Sequence, residues 1–201
     1  ANFVWAYAKL AHREDAVAER VQTEAQRRMY EFSPQDLSTV LWSFATMLYR
    51  DDRFMKPYVA HLSKRCHGQD LMPQHASNTL WALATVSFRD GPCFADMTAG
   101  ALRQLGAFKA QEVSNIVWAC ASASYRDQAF ADRIAREFMA RIGEFDPQGV
   151  GNSTWAVSVL ETSVREVYGC VWQKLGEASC LMRFSDKGFS MLVPAFFRSG
   201  E

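Results

Sequence analysis

The chain has no excess of charge of either sign, because its 22 basic residues balance its 22 acidic ones. It therefore lacks the strongly basic character that is the simplest indication of nucleic-acid binding, although a zero net charge does not exclude a local basic stripe. No run of 18 or more uninterrupted apolar residues occurs, so the sequence predicts no membrane insertion. The chain also has no initiator Met, signal peptide or transit peptide, and we interpret it as an internal piece of a longer protein.

The residue patterns of common catalytic and metal sites are missing as well. The five cysteines are an odd number without short paired spacing, which favours a reducing compartment and buried, unpaired thiols over a disulfide framework. His61, Cys66 and His67 crowd one segment without the spacing of metal ligands on a helix. There is no Gly-rich phosphate loop, nucleophile elbow or paired-carboxylate arrangement. We therefore predict no enzyme activity, no catalytic residue, no metal and no cofactor.

What the chain does contain is a repeat marked by tryptophan. The spacings are 37, 39, 37 and 37 residues between Trp5, Trp42, Trp81, Trp118 and Trp155. The flanks match too, as in Ser77-Asn-Thr-Leu-Trp81-Ala-Leu-Ala and Ser114-Asn-Ile-Val-Trp118-Ala-Cys-Ala. A period of about 20–50 residues is typical of stacked repeat arrays, which mostly bind extended partners.

Each repeat is predicted to be a pair of helices. Helix starts are indicated at Ser33-Pro34, Met72-Pro73, Lys109-Ala110 and Asp146-Pro147, where Ser or Asp can cap and Pro suits the first helical position. The first helix should end near Tyr49-Arg50-Asp51 and its equivalents, before a second helix such as Phe54 to Cys66 or Phe130 to Ile142.

We therefore predict an all-α fold, a right-handed α-solenoid of tandem helix-turn-helix repeats of about 37–39 residues. The array covers residues 1–201 as one domain. Its whole repeats are 32–70, 71–107, 108–144 and 145–183, with partial repeats 1–31 and 184–201, and Leu192 stands where the next Trp would fall.

Polar residues recur at fixed offsets from Trp on the first helix. Seven before Trp stand Gln35, Gln74, Gln111 and Gln148; three before it stand Asn2, Thr39, Asn78, Asn115 and Asn152; four after it stand Thr46, Thr85 and Ser122. These offsets fall within about 40° on a helix and form one stripe. Such groups suit the edges of unstacked bases. Alternatively, Gln could satisfy its own helix end and Asn could form a structural ladder between helices.

Positions that vary between repeats are candidates for specificity. They are, six before Trp, Asp36, His75, Glu112 and Gly149, and, two before Trp, Val40, Thr79, Ile116 and Ser153. In repeat proteins that read RNA one base per unit, a few side chains on one helix do the reading.

Arginine recurs eight after Trp and is followed by an acid. The arginines are Arg13, Arg50, Arg89 and Arg126, and the acids are Glu14, Asp51, Asp90 and Asp127. The arginines could contact successive phosphates. Alternatively, Arg caps the end of the first helix and the acid caps the start of the second. The Trp side chains themselves are predicted to pack in the core between repeats, and not to stack on bases.

The string Phe32-Ser-Pro-Gln-Asp-Leu-Ser-Thr-Val-Leu-Trp42-Ser-Phe-Ala-Thr and its later echoes resemble the octotricopeptide repeat and its close relatives. The resemblance covers nearly the whole chain. It implies an α-solenoid in a mitochondrion or chloroplast that binds messenger or ribosomal RNA, in processing, stability or translation, or as a ribosome-associated subunit. Gln74, Asn78, Gln111, Asn115, Gln148 and Asn152 match the motif residue by residue.

Two functions follow as hypotheses. The first is binding of single-stranded or ribosomal RNA by the polar stripe and the arginines. Its candidate residues are Gln35, Thr39, Gln74, His75, Asn78, Gln111, Glu112, Asn115, Gln148, Asn152, Arg50, Arg89 and Arg126. The second is a protein-binding scaffold among the subunits of a large organellar assembly, which a neutral chain suits equally well.

Overall fold

The computed structural model describes residues 1–10, 14–66, 72–162 and 164–175, and within these ranges it contains helices and no β-strand. The α-helices are α1 (Asn2–Lys9), α2 (Asp15–Arg28), α3 (Pro34–Thr46), α4 (Asp52–Cys66), α5 (Pro73–Thr85), α6 (Gly91–Arg103), α7 (Ala110–Ser122), α8 (Gln128–Ala140), α9 (Pro147–Leu160) and α10 (Val164–Leu175). Short 3-10 helices cover Met29–Glu31, Leu105–Ala107 and Ile142–Glu144. The prediction of an all-α fold is confirmed.

The chain forms two compact units, unit 1 over Ala1–Arg103 and unit 2 from Gln104 onward. In unit 1 the first helices of the repeats lie side by side, with α1 against α3 and α3 against α5, while α2, α4 and α6 form a second row. In unit 2, α7 packs against α9 and α8 against α10. This sequential packing of helix pairs is that of a helical repeat solenoid. The handedness and the single array over residues 1–201 stay predictions.

The first helices begin where the sequence predicts. Ser33 forms a capping box with Asp36: the Asp36 amide donates to Ser33 Oγ at 3.2 Å, and the Ser33 amide donates to Asp36 Oδ2. Asp146 accepts from the Gly149 amide at 2.6 Å. The helix that follows Met72 has no side-chain cap, so α5 begins at Pro73 without one.

The ends of the first helices differ from the prediction by about one turn. They end at Thr46, Thr85 and Ser122, and not near Tyr49-Arg50-Asp51. In unit 1 the amide of Tyr49 donates to the Phe44 carbonyl at 2.9 Å, and that of Leu48 to Ala45 at 2.9 Å. This pair of bonds defines a Schellman motif, which needs a left-handed residue and is usually marked by Gly. Here the left-handed residues are not Gly: Leu48, Ser87, Ser124 and Glu161 have φ between 53° and 57°.

The second helices α4 and α8 begin two residues earlier than predicted. The acid before the helix caps α6 and α8, whereas Glu14 before α2 makes no capping hydrogen bond. Asp90 accepts from the Cys93 amide at 2.9 Å, and Asp127 accepts from Phe130 at 3.0 Å. Ile142, predicted as the end of the second helix in unit 2, lies instead in a 3-10 turn after α8.

The core of each unit lies between the two rows of helices. In unit 1, Phe54 packs edge-on against Phe44 at 5.3 Å and against Tyr58 at 4.7 Å between ring centroids. Of the described cysteines, Cys66, Cys93 and Cys120 are buried in the core and unpaired as predicted, whereas Cys170 is unpaired but half-buried. Burial raises the pKa of the Cys66 thiol to about 11, so it stays protonated at neutral pH. Among the described helices, none is long and apolar enough to span a bilayer.

Candidate nucleic-acid interface

The polar residues predicted from the Trp offsets lie on the accessible side of the first helices. The glutamines at position −7 from Trp are all exposed: Gln35, Gln74, Gln111 and Gln148. The residues at position −3 are half-buried: Thr39, Asn78, Asn115 and Asn152. On each first helix the side chains at these two positions lie on one side, as helical geometry requires. We call these eight residues, four in each unit, the polar stripe.

The sequence left two structural roles open for these amides, namely helix capping by Gln and a ladder of Asn between helices. Helix capping is carried by Ser33, Asp146 and Glu112, and not by the glutamines. Within the ranges that the structure describes, no hydrogen bond is made by the side-chain amides of the stripe, so neither the capping role of Gln nor the Asn ladder is present. The amide donors and acceptors are therefore available to a partner.

In unit 2 the polar stripe forms the wall of a cleft of about 170 Å³ between α7 and α9. Gln111 and Asn115 line it from α7, while Gln148 and Asn152 line it from α9. The Glu144 and Asp146 side chains also border the cleft, but both are engaged. Glu144 pairs with Arg141 at 2.7 Å, and Asp146 caps α9. The free hydrogen-bonding groups of the cleft are thus mostly neutral amides.

The candidates six before Trp divide into two kinds. Asp36 and Glu112 serve their own helices, because the Ser33 amide donates to Asp36 and the Lys109 amide donates to Glu112 Oε2 at 2.8 Å. His75 is half-buried, and burial lowers its pKa, so the imidazole is neutral at neutral pH and can donate and accept hydrogen bonds. His75 is therefore better suited than Glu112 to contact a base.

The expectation that the residues two before Trp determine specificity is wrong. Val40, Thr79, Ile116 and Ser153 are at most 1% exposed, so no external ligand can reach them. They lie on the side of the first helix that packs against its neighbours. Their variation between repeats reflects packing inside each unit.

The arginines eight after Trp differ in their surroundings. Arg50 donates from Nη1 to the carbonyls of Val86 and Ser87, at 3.0 and 2.8 Å, and from Nε to Asp52 at 2.6 Å. It therefore caps the end of the first helix of the next repeat, and not of its own as the capping alternative proposed.

Arg126 is exposed and lies 3.7 Å from Glu161, which is also exposed, so this ion pair is weak. Arg89 is exposed and makes no hydrogen bond or ion pair with any residue in the described ranges. Contacts of these arginines with phosphate stay a prediction. Arg13 and the partial repeat 184–201 lie outside the described residues.

The prediction that Trp packs between repeats is confirmed in part: the Trp42 and Trp81 rings stack across neighbouring repeats, but the repeat Trp side chains are not fully buried. Trp5 is 45% exposed, and the other four repeat Trp residues are half-buried: Trp42, Trp81, Trp118 and Trp155. Seven residues are nearly two helical turns, so Trp lies within about 20° of the Gln at position −7 and shares its side of the helix. The Trp–Gln offset therefore predicts the side of the helix on which Trp lies, but it does not predict how deeply the Trp side chain is buried.

In the part of the chain that the structure describes, no group of three or more His, Cys, Asp or Glu side chains could hold a metal ion.

Among curated proteins, none matches the chain. Residues 1–188 match the family model described as RNA-editing substrate-binding complex 6 protein. The matched residues make up nearly the whole chain and include every predicted site residue. This match supports an RNA-associated helical protein, and it does not specify the octotricopeptide repeat family. The chain belongs to the RNA-editing substrate-binding complex 6 protein family.

Proposed function

We propose that this protein binds unpaired RNA along its first helices, as a non-catalytic subunit of an organellar RNA-editing assembly. The family description supports an association with RNA-editing substrates and with other subunits. The likeness to octotricopeptide repeats supports the use of a helical repeat surface for this binding. Messenger and ribosomal RNA both belong to the proposed substrate class, and the family favours an RNA that is edited.

The observation that carries this proposal is the cleft of unit 2. It brings four amide side chains from two helices to one surface, and none of them is used by the fold: Gln111, Asn115, Gln148 and Asn152. An amide offers both donors and acceptors, which match the Watson–Crick edges of unpaired bases. The engaged carboxylates of Glu144 and Asp146 disfavour a phosphate there, so bases and not the backbone should enter the cleft.

The test is the fourfold variant Gln111→Ala, Asn115→Ala, Gln148→Ala and Asn152→Ala, measured by fluorescence anisotropy with a labelled single-stranded RNA of mixed sequence. Each neutral hydrogen bond contributes about 0.5–1.5 kcal/mol, so the affinity should fall at least about tenfold. A matched control removes two exposed amides elsewhere, at Gln26 and Gln173, and should bind as the wild type does. Equal affinity of the fourfold variant and the control would contradict the proposal.

A second candidate function is a protein-binding scaffold in the same assembly. It is favoured by the residues around the cleft, which include two acids and no Lys or Arg. Crosslinking from a photoreactive residue in place of Gln148 separates the two: an RNA adduct supports the first proposal, and a peptide adduct with no RNA supports the scaffold.

A further inference from the structure

In unit 1 the Trp side chains of three neighbouring helices form a row that is exposed at Trp5 and half-buried at Trp42 and Trp81. Trp5, Trp42 and Trp81 lie on α1, α3 and α5, which pack side by side. The rings of Trp42 and Trp81 are stacked, with 6.2 Å between centroids and 29° between planes. We call these three residues the tryptophan row. It continues the polar stripe, because Gln74 and Asn78 lie seven and three residues before Trp81 on the same side of α5.

The row is not fully buried, because Trp5 is 45% exposed and Trp42 and Trp81 are half-buried. On the same helix as Trp42, the apolar side chains of Leu37, Leu41 and Phe44 are at most 4% exposed. A repeat that needed only an apolar side chain at this position would bury it as it buries these. Large aromatic surface is costly to leave in water, so its recurrence at an accessible position indicates a partner with flat, apolar faces.

A positive charge lies against the same rings. The Lys9 ammonium is 5.8 Å from the Trp5 ring centroid and 5.1 Å from that of Trp42. Single-stranded nucleic acids are bound by this combination, in which bases stack on aromatic rings and a nearby cation meets the phosphates. A protein or peptide partner would need neither stacked aromatic rings nor a cation beside them. The aromatic and cationic groups thus fit unpaired bases better than an apolar protein surface.

We propose that the tryptophan row is a stacking platform for unpaired RNA bases, with Lys9 contacting a phosphate of the same strand. This inference rests on the proposed function and assigns a second kind of contact to it. Stacking does not discriminate between bases, because every base has an aromatic face. The row therefore supplies affinity, whereas the amides of the polar stripe supply contacts to the base edges.

The test compares the variants Trp42→Ala and Trp81→Ala with the wild type in the intact protein, using a labelled oligouridylate and an abasic ribose-phosphate oligomer of equal length. Stacking is worth about 1–3 kcal/mol per base, so each variant should bind oligouridylate about tenfold more weakly. Affinity for the abasic oligomer should not change. The matched control is Trp172→Ala, because Trp172 is 68% exposed on α10 and lies outside the row; it should bind both oligomers as the wild type does.

Two further measurements keep the inference falsifiable. If Trp42→Ala lowers the helix content seen by circular dichroism, Trp42→Phe takes its place and should retain most of the affinity because Phe also stacks. Ultraviolet crosslinking to 4-thiouridine RNA should give adducts on the peptide that contains Trp42 or Trp81. Wild-type RNA binding that is weakened by the fourfold amide variant, but not by the Trp variants, would overturn the stacking platform alone. A wild-type protein that binds no RNA would overturn both proposals.

Discussion

Four residues, each six after a repeat Trp, hold a left-handed backbone conformation although each has a side chain. Leu48, Ser87, Ser124 and Glu161 have φ of 53°, 54°, 56° and 57°. For residues other than Gly this conformation costs about 1–2 kcal/mol. The cost recurs because each residue reverses the chain between the two helices of a repeat, and the Schellman bonds hold it in place.

Replacing one of these residues by Gly should therefore stabilise the fold. We expect Ser87→Gly to raise the free energy of unfolding by about 0.5–1 kcal/mol, since Gly adopts positive φ without steric cost. Urea unfolding followed by circular dichroism measures the change. Ala95→Gly, at an exposed position inside α6, is the control and should lower stability by about 1 kcal/mol. Destabilisation by both variants would show that the left-handed conformation at Ser87 carries no strain.

At the residue scale, the sequence predicted which side of its helix a residue occupies better than it predicted how deeply the side chain is buried. Helical offsets alone place Gln74, Asn78 and Trp81 on one stripe, and the structure confirms that grouping. The offsets could not predict which side of the helix faces solvent, because the residues two before Trp vary in polarity as surface residues do. Thr79, a polar residue, is fully buried, while Trp81 remains partly accessible. Burial is decided by the neighbouring helices.

At the scale of the element, the start of α9 is packed more closely than its sequence suggests. A Cβ at Gly149 would lie 3.0 Å from Asp146 Oδ1, the atom that caps the helix, and 3.3 Å from the Phe145 ring. The Gly149 carbonyl also accepts from Ser114 Oγ at 3.3 Å, which ties α9 to α7. Gly at this position is therefore required by space and not by φ.

Gly149→Ala should destabilise the protein although Ala has the higher helix propensity. We expect a loss of about 1–2 kcal/mol, because the new methyl group displaces the Asp146 cap, worth about 1 kcal/mol, and disturbs the contact with Phe145. Thermal unfolding measures it. Gly169→Ala in α10 is the matched control: no atom lies within 4 Å of its added Cβ, and it should stabilise by about 0.5–1 kcal/mol. A gain in both variants would show that the cap tolerates the methyl group.

Helix starts were predictable where helix ends were not. Ser33-Pro34 and Asp146-Pro147 carry chemistry specific to a first turn, and both helices begin there. The ends lack the usual Gly, and apolar periodicity continues through Leu48 and Tyr49 beyond the last helical residue. The reversal is imposed by packing against the second helix, which a single sequence does not display.

At the scale of the whole molecule, a net charge of zero means that RNA affinity must depend on a few placed cations. The arginines eight after Trp are not equivalent in this respect. Arg50 is held by the carbonyls of Val86 and Ser87 and by Asp52, whereas Arg89 makes no such contact among the described residues. We expect the first to act in folding and the second to be available to phosphate.

The pair Arg50→Ala and Arg89→Ala tests this division. Arg50→Ala should lower the free energy of unfolding by about 1 kcal/mol, because it leaves carbonyls at the end of α5 without their donor. Its RNA binding should keep the wild-type dependence on salt. Arg89→Ala should leave stability unchanged and reduce the slope of log affinity against log salt by about 0.7, the value for one phosphate contact on a single strand. Identical salt dependence in Arg89→Ala would remove Arg89 from the interface.

The repeat period predicted the architecture of stacked helix pairs, but it did not predict the division of the chain into two units. Trp spacing predicted stacked helix pairs, and the helix pairs are present in both units. The boundary between Arg103 and Gln104 falls close to the predicted repeat boundary at 107 and 108, yet nothing in that segment distinguishes it from the other repeat boundaries. A period describes what the repeats share, so it does not mark the boundary between the two units.

The contact of Arg50 with the next repeat has a consequence for how such a chain changes in length. Arg50 reaches backbone carbonyls, which every residue possesses, so the contact does not depend on the side chains it meets. A duplicated gene segment of about one Trp period would carry an Arg donor and backbone acceptors of its own, so a new junction of this kind needs no matching side chain. Arg126, at the same offset in unit 2, instead lies 3.7 Å from the Glu161 carboxylate, so the junction also depends on where the Arg side chain is directed. A single-residue insertion between Trp81 and Ser87 would displace the acceptors of Arg50 and break this junction.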